Sequence, residues 1–450
     1  LIRALFIALE FPPLSQTGVH RSARFVKYLR EFGVEPLVVT LAAEDAARAF
    51  SAPLDDALSA DIPDGTRVLR LACPLPRVPS GRIARAARHY LRVVEDFAAR
   101  VRPDLEARLP AFVAAHRPDV VYVSMPPFSA GPLAAEVARR FSLPLVVDMR
   151  DAWSHWCSGA FPSYLHFRAV LHRERRLFEA AHTVVTVTGQ LAAMFRQAHP
   201  GLPTTRVQVV TNGFDGVLPP WMPSRTHADP SAPFVVGYSG SYYYAPEARA
   251  IANTPWWKRA GHRKIHYQPA HEDWLYRSPW FFFRALAALR RIDPETGRRV
   301  RYQHVGTIPS WWDEMVSEHG LSDAVHCVGR VPLAEAQRLS AAVDANLCTS
   351  VKVVGGEDYA LASKTFDYLL GGRPVFGLVT RGAQREFLRR AGVAVLADPD
   401  DLRGSVEALR ALVRGEAHLS RDDAYLSGFS RRNTAGALAR VLMEAAAARR

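Results

Sequence analysis

The stretch Leu361-Ala-Ser-Lys-Thr-Phe-Asp-Tyr-Leu-Leu-Gly-Gly-Arg-Pro-Val375 reads as a short helix that stops and feeds a strand. Ser363 has the side chain of an N-cap, Gly371 or Gly372 that of a C-cap, and Pro374 opens the strand. The strand itself, Pro374–Leu378, is apolar throughout, as strands buried on both faces of a parallel sheet are. The same step recurs in both directions. Downstream it runs through Ala383–Arg390, Val393–Leu396, Asp401–Val413 and a last helix, Arg432–Ala447. Upstream, strands at Phe234–Ser239, Val300–Val305, Val325–Val328 and Ala345–Cys348 alternate with helices at Trp280–Arg291, Trp311–His319 and Leu333–Ala342. The first half repeats the pattern: strands Ile2–Ala8, Glu35–Thr40, Val68–Leu71, Val120–Val123, Leu145–Asp148, Thr183–Val187 and Val207–Val210, helices Val19–Phe32, Ala130–Phe141, Tyr164–Ala180 and Gly189–Ala198. Alternation of this kind predicts an α/β, doubly wound fold.

The alternation is interrupted once. Residues 215–233 are rich in Pro and polar side chains and read as an interdomain segment. The expected division is an N-terminal Rossmann-like domain over 1–215, a linker over 216–233, a C-terminal domain over 234–430 and a final helix over 431–450. Ligands of such sheets bind beyond the carboxyl ends of the strands.

Composition narrows the function. A chain of 450 residues with 48% apolar and 22% charged residues can bury several cores, which excludes disorder as its main state. No apolar run reaches the roughly 18–20 residues that span a bilayer. The opening LIRALFIALEFPP is broken by Glu10 and lacks a small-residue cleavage pattern, so it reads as a first buried strand rather than a leader. Four Cys with no paired spacing predict neither a zinc site nor a disulfide framework, and a cytoplasmic location. The net charge of +13 favours an anionic partner, but no recognition motif for nucleic acid accompanies it. Only five of the 57 basic residues are Lys, so each surviving Lys hints at a position that needs a compact ammonium.

Lys364 is such a position. It falls in the first turn of its helix, where a cation opposes the helix dipole. An anion bound at the same helix start would account for it, because free N–H groups there already favour phosphate. Asp367, one turn on, can accept hydrogen bonds from ribose or sugar hydroxyls. A capped helix with a solvated Lys and a surface Asp fits the spacing equally well.

Here the segment Ser363-Lys364-Thr365-Phe366-Asp367-Tyr368 through Gly372-Arg373-Pro374-Val375 resembles the donor-binding helix of GT-B glycosyltransferases of the family 4 type. Other pieces match in order. Phe11-Pro12-Pro13 with Gly18, Arg21 and Phe25–Leu29 resembles the family's N-terminal loop and first helix. Pro118–Tyr122, Pro126-Pro127 and Asp148–Trp153 resemble its inter-strand loops. Asn212–Asp215 resembles the end of its first domain, Gly237–Ser241 the opening loop of its second, and Val328–Val331 and Ala397–Asp400 later segments. The resemblance covers nearly the whole chain.

It implies two Rossmann-like domains facing a central cleft and a retaining transfer of sugar from a nucleotide-sugar donor to a glycan or lipid-linked acceptor, in bacterial surface polysaccharide or glycoconjugate synthesis. Asp367 takes the place of the family's ribose-binding Glu. Tyr359 stands eight positions earlier, where the family has another Glu, so Glu357 is the candidate for a sugar hydroxyl. Arg150 replaces a His common after the strand Leu145–Asp148, with Asp151 beside it as the candidate for the acceptor hydroxyl; Asp151 reads as readily as a cap or as the partner of Arg150. Charge building on the donor's β-phosphate would be met by Lys364, the helix start Ser363–Thr365 and the Gly240–Ser241 loop, with Gly18 letting backbone approach from the other domain. No metal and no cofactor beyond the donor is expected. Two other readings use the same fold: a nucleotide-sugar 2-epimerase, which needs carboxylates and a His-rich cleft the sequence does not display, and a non-catalytic glycan- or nucleotide-binding relative, left open by Tyr359 and Arg150.

Two basic stretches remain. Arg82, Arg85, Arg88 and Arg92 recur at helical spacing, as for peripheral contact with an anionic membrane or as a solvated face. Residues 243–280 hold four of the nine Trp, interleaved with cations, and read as an insertion after the first strand of the second domain.

Overall fold

The computed structural model describes residues 1–75, 81, 96–222 and 232–448; the Arg82–Arg92 stretch lies outside them. The chain forms two compact units. The first comprises 1–212, 260–269 and 431–450, the second 213–259 and 270–430. Among the described residues no helix is long and apolar enough to cross a membrane.

The first unit is built on a parallel sheet of seven strands: β1 (Ile2–Ile7), β2 (Val34–Leu41), β3 (Arg67–Leu71), β4 (Val120–Met125), β5 (Leu145–Met149), β6 (Thr183–Thr186) and β7 (Val207–Val209). Their order is β3-β2-β1-β4-β5-β6-β7, which reverses direction between β1 and β4. β4 is buried along its whole length because helices cover both faces of the sheet. One covering helix is the last of the chain, Arg431–Ala447, whose Leu438, Val441, Leu442 and Ala445 join Phe25, Val26 and Leu29 in the core. It lies so close that a Cβ at Gly436 would come within 2.8 Å of the Phe32 ring. The helix expected to stand apart over 431–450 is thus part of the first unit.

The second unit repeats the design with β8 (Phe234–Ser239), β10 (Val300–Val305), β11 (Val325–Gly329), β12 (Ala345–Thr349), β14 (Val375–Leu378) and β15 (Ala394–Ala397) in the order β11-β10-β8-β12-β14-β15, all parallel. Its reversal falls between β8 and β12. A separate antiparallel ribbon pairs β9 (His271–Asp273) with β13 (Lys352–Val354).

Among the described residues five α-helices escape the sequence reading: Ala43–Phe50, Arg102–His116, Pro246–Asn253, Pro294–Arg299 and Asp423–Ser427. In Arg102–His116 the reason is Pro110, which sits inside the helix at the cost of a backbone hydrogen bond. Two segments pack otherwise than expected. The start of the expected linker lies on the second unit, with Leu218 and Trp221 against the cluster of Phe366, Leu369 and Phe387 and the Met222 N–H donating to Gly372 O at 3.1 Å. The Trp-rich insertion is divided. Trp256 and Trp257 belong to the second unit and are about 60% exposed, whereas residues 260–269 belong to the first, where Tyr267 and Phe161 exchange two backbone hydrogen bonds of 2.8 and 3.0 Å.

Candidate functional site

Each sheet carries a cluster of polar groups at its carboxyl edge beside the reversal, where open α/β sheets place ligands. In the second unit the cluster starts from β8. Its Tyr238 is buried, and beyond it the chain turns at Gly240 with φ +115°, a region that favours glycine. A Cβ at Gly240 would stand 3.2 Å from Lys364 Nζ, so the ammonium lies directly against this turn. Lys364 Nζ donates to the Tyr238 hydroxyl and sits 4.0 Å from the centre of its ring. The Tyr238 hydroxyl in turn donates to Ser241 O at 3.3 Å. Among the described residues no carboxylate is in hydrogen-bond or ion-pair contact with the ammonium. Burial pushes the Lys364 pKa down to about 8, opposed by Tyr243 and Cys348 and, more weakly, by Asp367.

The helix behind Lys364, Ser363–Leu370, begins without a side-chain cap: Ala362, not Ser363, occupies the cap position. Gln384 supplies what a cap residue does not. Its Oε1 accepts the Ala362 N–H at 3.0 Å and its Nε2 donates to Thr365 Oγ1 at 2.9 Å. Thr365 is therefore fully buried with its hydroxyl engaged in the core, and does not face a ligand as expected. The backbone N–H groups of Ser363 and Lys364 have no acceptor among the described residues, which leaves an anion-favouring helix start beside the ammonium. Asp367 is on the exposed side, one turn on. Glu357 is also exposed, 3.9 Å from Arg381. Its neighbour Asp358 turns inward. Burial pushes the Asp358 carboxyl up to about 7, although it accepts the Ala360 N–H at 2.9 Å. Its carbonyl is so close to Gly382 that a Cβ there would meet it at 2.0 Å. Asp358 and the buried Tyr359 hold the loop, while Glu357 faces out.

Sequence reasoning missed Gly306 and His304. A Cβ at Gly306 would stand 2.3 Å from Gly240 O, so the loop after β10 supports the Gly240 turn from behind. His304 is buried, with Nε2 3.1 Å from Thr307 O and its ring stacked 4.8 Å from Trp312. Burial pushes its pKa down, and the charge of Lys364 adds to this. The sequence Val305-Gly306-Thr307 at a strand end was the available signal.

The first unit's edge is organised by two buried ion pairs. Arg21 donates to both carboxylate oxygens of Asp148 at 2.7 and 2.8 Å and also reaches Val210 O at 2.9 Å and Asn212 Oδ1 at 3.1 Å. The Tyr122 hydroxyl donates to the same carboxylate. Arg150 donates to Glu10 at 2.9 and 3.2 Å and to the carbonyls of Met125 and Pro126. Four of its five N–H groups are thereby engaged, so Arg150 ties Glu10 to the carbonyls of Met125 and Pro126. Gly18 lies over this pair: a Cβ would fall 1.5 Å from Glu10 Oε2 and 2.2 Å from Arg150 Nη1. That clearance alone requires a glycine here. Asp151 is half-buried beside Arg150. The structure therefore brings Gly240, Ser241, Ser363 and Lys364 together in the second unit, and Gly18, Arg150 and Asp151 in the first. Among the described residues no group of three or more His, Cys, Asp or Glu could hold a metal ion.

Residues 17–213 match the family model described as a glycosyl transferase 4-like domain. No curated protein sequence matches the chain. Solved structures match over nearly its full length. The lipopolysaccharide outer core galactosyltransferase WaaB is 11% identical, with 98% of this chain and 99% of that one covered and a TM-score of 0.57. Sucrose-phosphate synthase from Thermosynechococcus elongatus is 13% identical, with 100% and 97% covered and a TM-score of 0.54. HepE of Anabaena, solved in complex with UDP, is 16% identical, with 99% and 97% covered and a TM-score of 0.52. These likenesses establish the two-domain α/β fold of GT-B glycosyltransferases. The domain match falls almost wholly within the first unit.

Proposed function

We propose that this enzyme transfers a sugar, with retention of configuration, from a nucleoside diphosphate donor held on the second unit to a glycan or lipid-linked acceptor. The observation that carries the reading is Lys364: an ammonium set against the Gly240 turn, beside two helix N–H groups, with no carboxylate partner for the one and no acceptor for the others among the described residues. As the glycosidic bond breaks, negative charge grows on the β-phosphate oxygens. A cation and N–H donors fixed in advance stabilise that charge without reorganising. Asp367 and Glu357, both exposed on the same unit, are proposed for the ribose and sugar hydroxyls. On the first unit Asp151 is proposed for the acceptor hydroxyl, with Arg150 as its positioning neighbour. The ammonium supplies the charge that a divalent ion would otherwise supply, so transfer is expected to survive chelation. HepE was solved with UDP, which makes uridine sugars the first donors to try.

Bacterial surface polysaccharide or glycoconjugate synthesis in the cytoplasm, with peripheral membrane contact through Arg82, Arg85, Arg88 and Arg92, completes the proposal. Incubation with a panel of radiolabelled nucleotide sugars, with and without lipid-linked acceptor, tests it. Transfer to acceptor is the expected result. Isomerised donor without transfer would replace the reading with a 2-epimerase, and binding without turnover with a non-catalytic relative.

A further inference from the structure

Helix Tyr164–Ala180 and the turn His199–Leu202 of the first unit enclose a cavity of about 250 Å3, apart from both carboxyl-edge clusters. It is smaller than an ordinary ligand cleft, and so suits a compact group. Arg168, His172 and Arg175 line it, spaced along one face of the helix. Glu179 is the single acidic lining residue, and it pairs with Arg175 at 2.8 Å. Arg168 and His172 make no hydrogen bond or ion pair among the described residues.

The inner wall is His199, 4% exposed, with Nε2 3.2 Å from Oε2 of the fully buried Glu174. The same carboxylate accepts the Ser154 hydroxyl. A buried carboxylate is stable only when paired, so Glu174 fixes the imidazole and leaves Nδ1 as its remaining hydrogen-bonding atom. The cavity thus has a built inner wall and an excess of cations, two of them guanidinium forks suited to phosphate oxygens.

We propose that this cavity binds a phosphate group, held by Arg168 and Arg175 with His199 behind it. The group comes either from a small soluble phosphate or from a phosphomonoester lipid headgroup, and the experiment separates the two. Calorimetric titration with inorganic phosphate is made on wild type, on Lys364→Ala, which disables the proposed donor site, and on Arg168→Gln/Arg175→Gln. Both arginines are exposed, and an unchanged thermal melt checks that the double variant is folded. Saturable binding in wild type and Lys364→Ala, weakened at least tenfold in the double variant, is expected. The lipid arm repeats the comparison by co-sedimentation with vesicles containing phosphatidic acid. If only the vesicles discriminate the double variant, the phosphate is membrane-borne. If the double variant binds phosphate and vesicles as wild type does, or if Lys364→Ala alone abolishes binding, the cavity is not a phosphate site. Neither overturning result counts against the donor reading, which rests on the second unit; loss of binding in Lys364→Ala would place the phosphate there.

Discussion

The carboxyl edges of the two sheets occupy equivalent places in equivalent folds, yet their charges are used in opposite ways. In the first unit each buried cation has its carboxylate: Arg21 has Asp148, and Arg150 has Glu10. In the second unit Lys364 rests on a tyrosine hydroxyl and ring, and burial has already drawn its pKa down to about 8. A matched buried pair stabilises loops and has little left to offer a ligand. An unmatched cation costs the ligand-free protein stability, and an incoming anion recovers it.

The sharpest way to break this comparison is to orphan one cation of the first unit. Asp148→Ala leaves Arg21 buried without its carboxylate and is expected to cost about 3–5 kcal/mol. Urea unfolding followed by circular dichroism measures this, and a loss under about 1 kcal/mol would mean the pair is not structural. Lys364→Ala is the converse. Stability of the ligand-free protein is expected not to fall, since the unmatched cation is gone, while affinity for a nucleoside diphosphate falls tenfold or more, as for a lost charge-assisted contact of about 1.5–3 kcal/mol. Equal affinities by calorimetry would remove Lys364 from the donor site.

Gly18→Ala drives a methyl group into the Glu10–Arg150 pair and is expected to cost about 1–3 kcal/mol by overpacking. A thermal melt unchanged from wild type would show that the loop yields freely. The smallest effect is on pH. The folded pKa of Lys364 is depressed, so between about 8 and its ordinary value the unfolded chain holds a proton that the ligand-free folded chain has lost. Stability of the ligand-free protein from this group therefore rises with pH across that window. Diphosphate affinity should move the other way, weakening above about pH 8, with protons taken up on binding. Calorimetry in buffers of different ionisation enthalpy reads that uptake, and none at pH 8.5 would contradict a charged Lys364 in the complex.

Strands such as Val120–Met125 were legible as short runs buried on both faces, and Phe234–Ser239 and Val300–Val305 appear with the expected ends. Lys364 was legible for a different reason: a lone Lys at a helix start conflicts with the dipole and calls for an explanation. At the helix start Ser363–Thr365 the sequence could not show that Thr365 is engaged elsewhere, since only the fold brings Gln384 to its hydroxyl. Glu10 and Asp148 were illegible as ion-pair partners for the same reason, since each meets its arginine across well over a hundred residues of chain. The β9–β13 ribbon joins two three-residue segments, too short to show an alternation of their own.

The final helix has a consequence for how the protein is made. Its apolar face fills the core of a unit whose strands end about 220 residues earlier. At about 5–20 residues per second, a ribosome completes those strands roughly 10–45 s before the helix that covers them emerges. Until then the surface that will receive Leu438 and Leu442 stays open to solvent, to chaperones and to neighbouring nascent chains. The second unit can close on its own while the first waits, so the half synthesised first is the half that matures last.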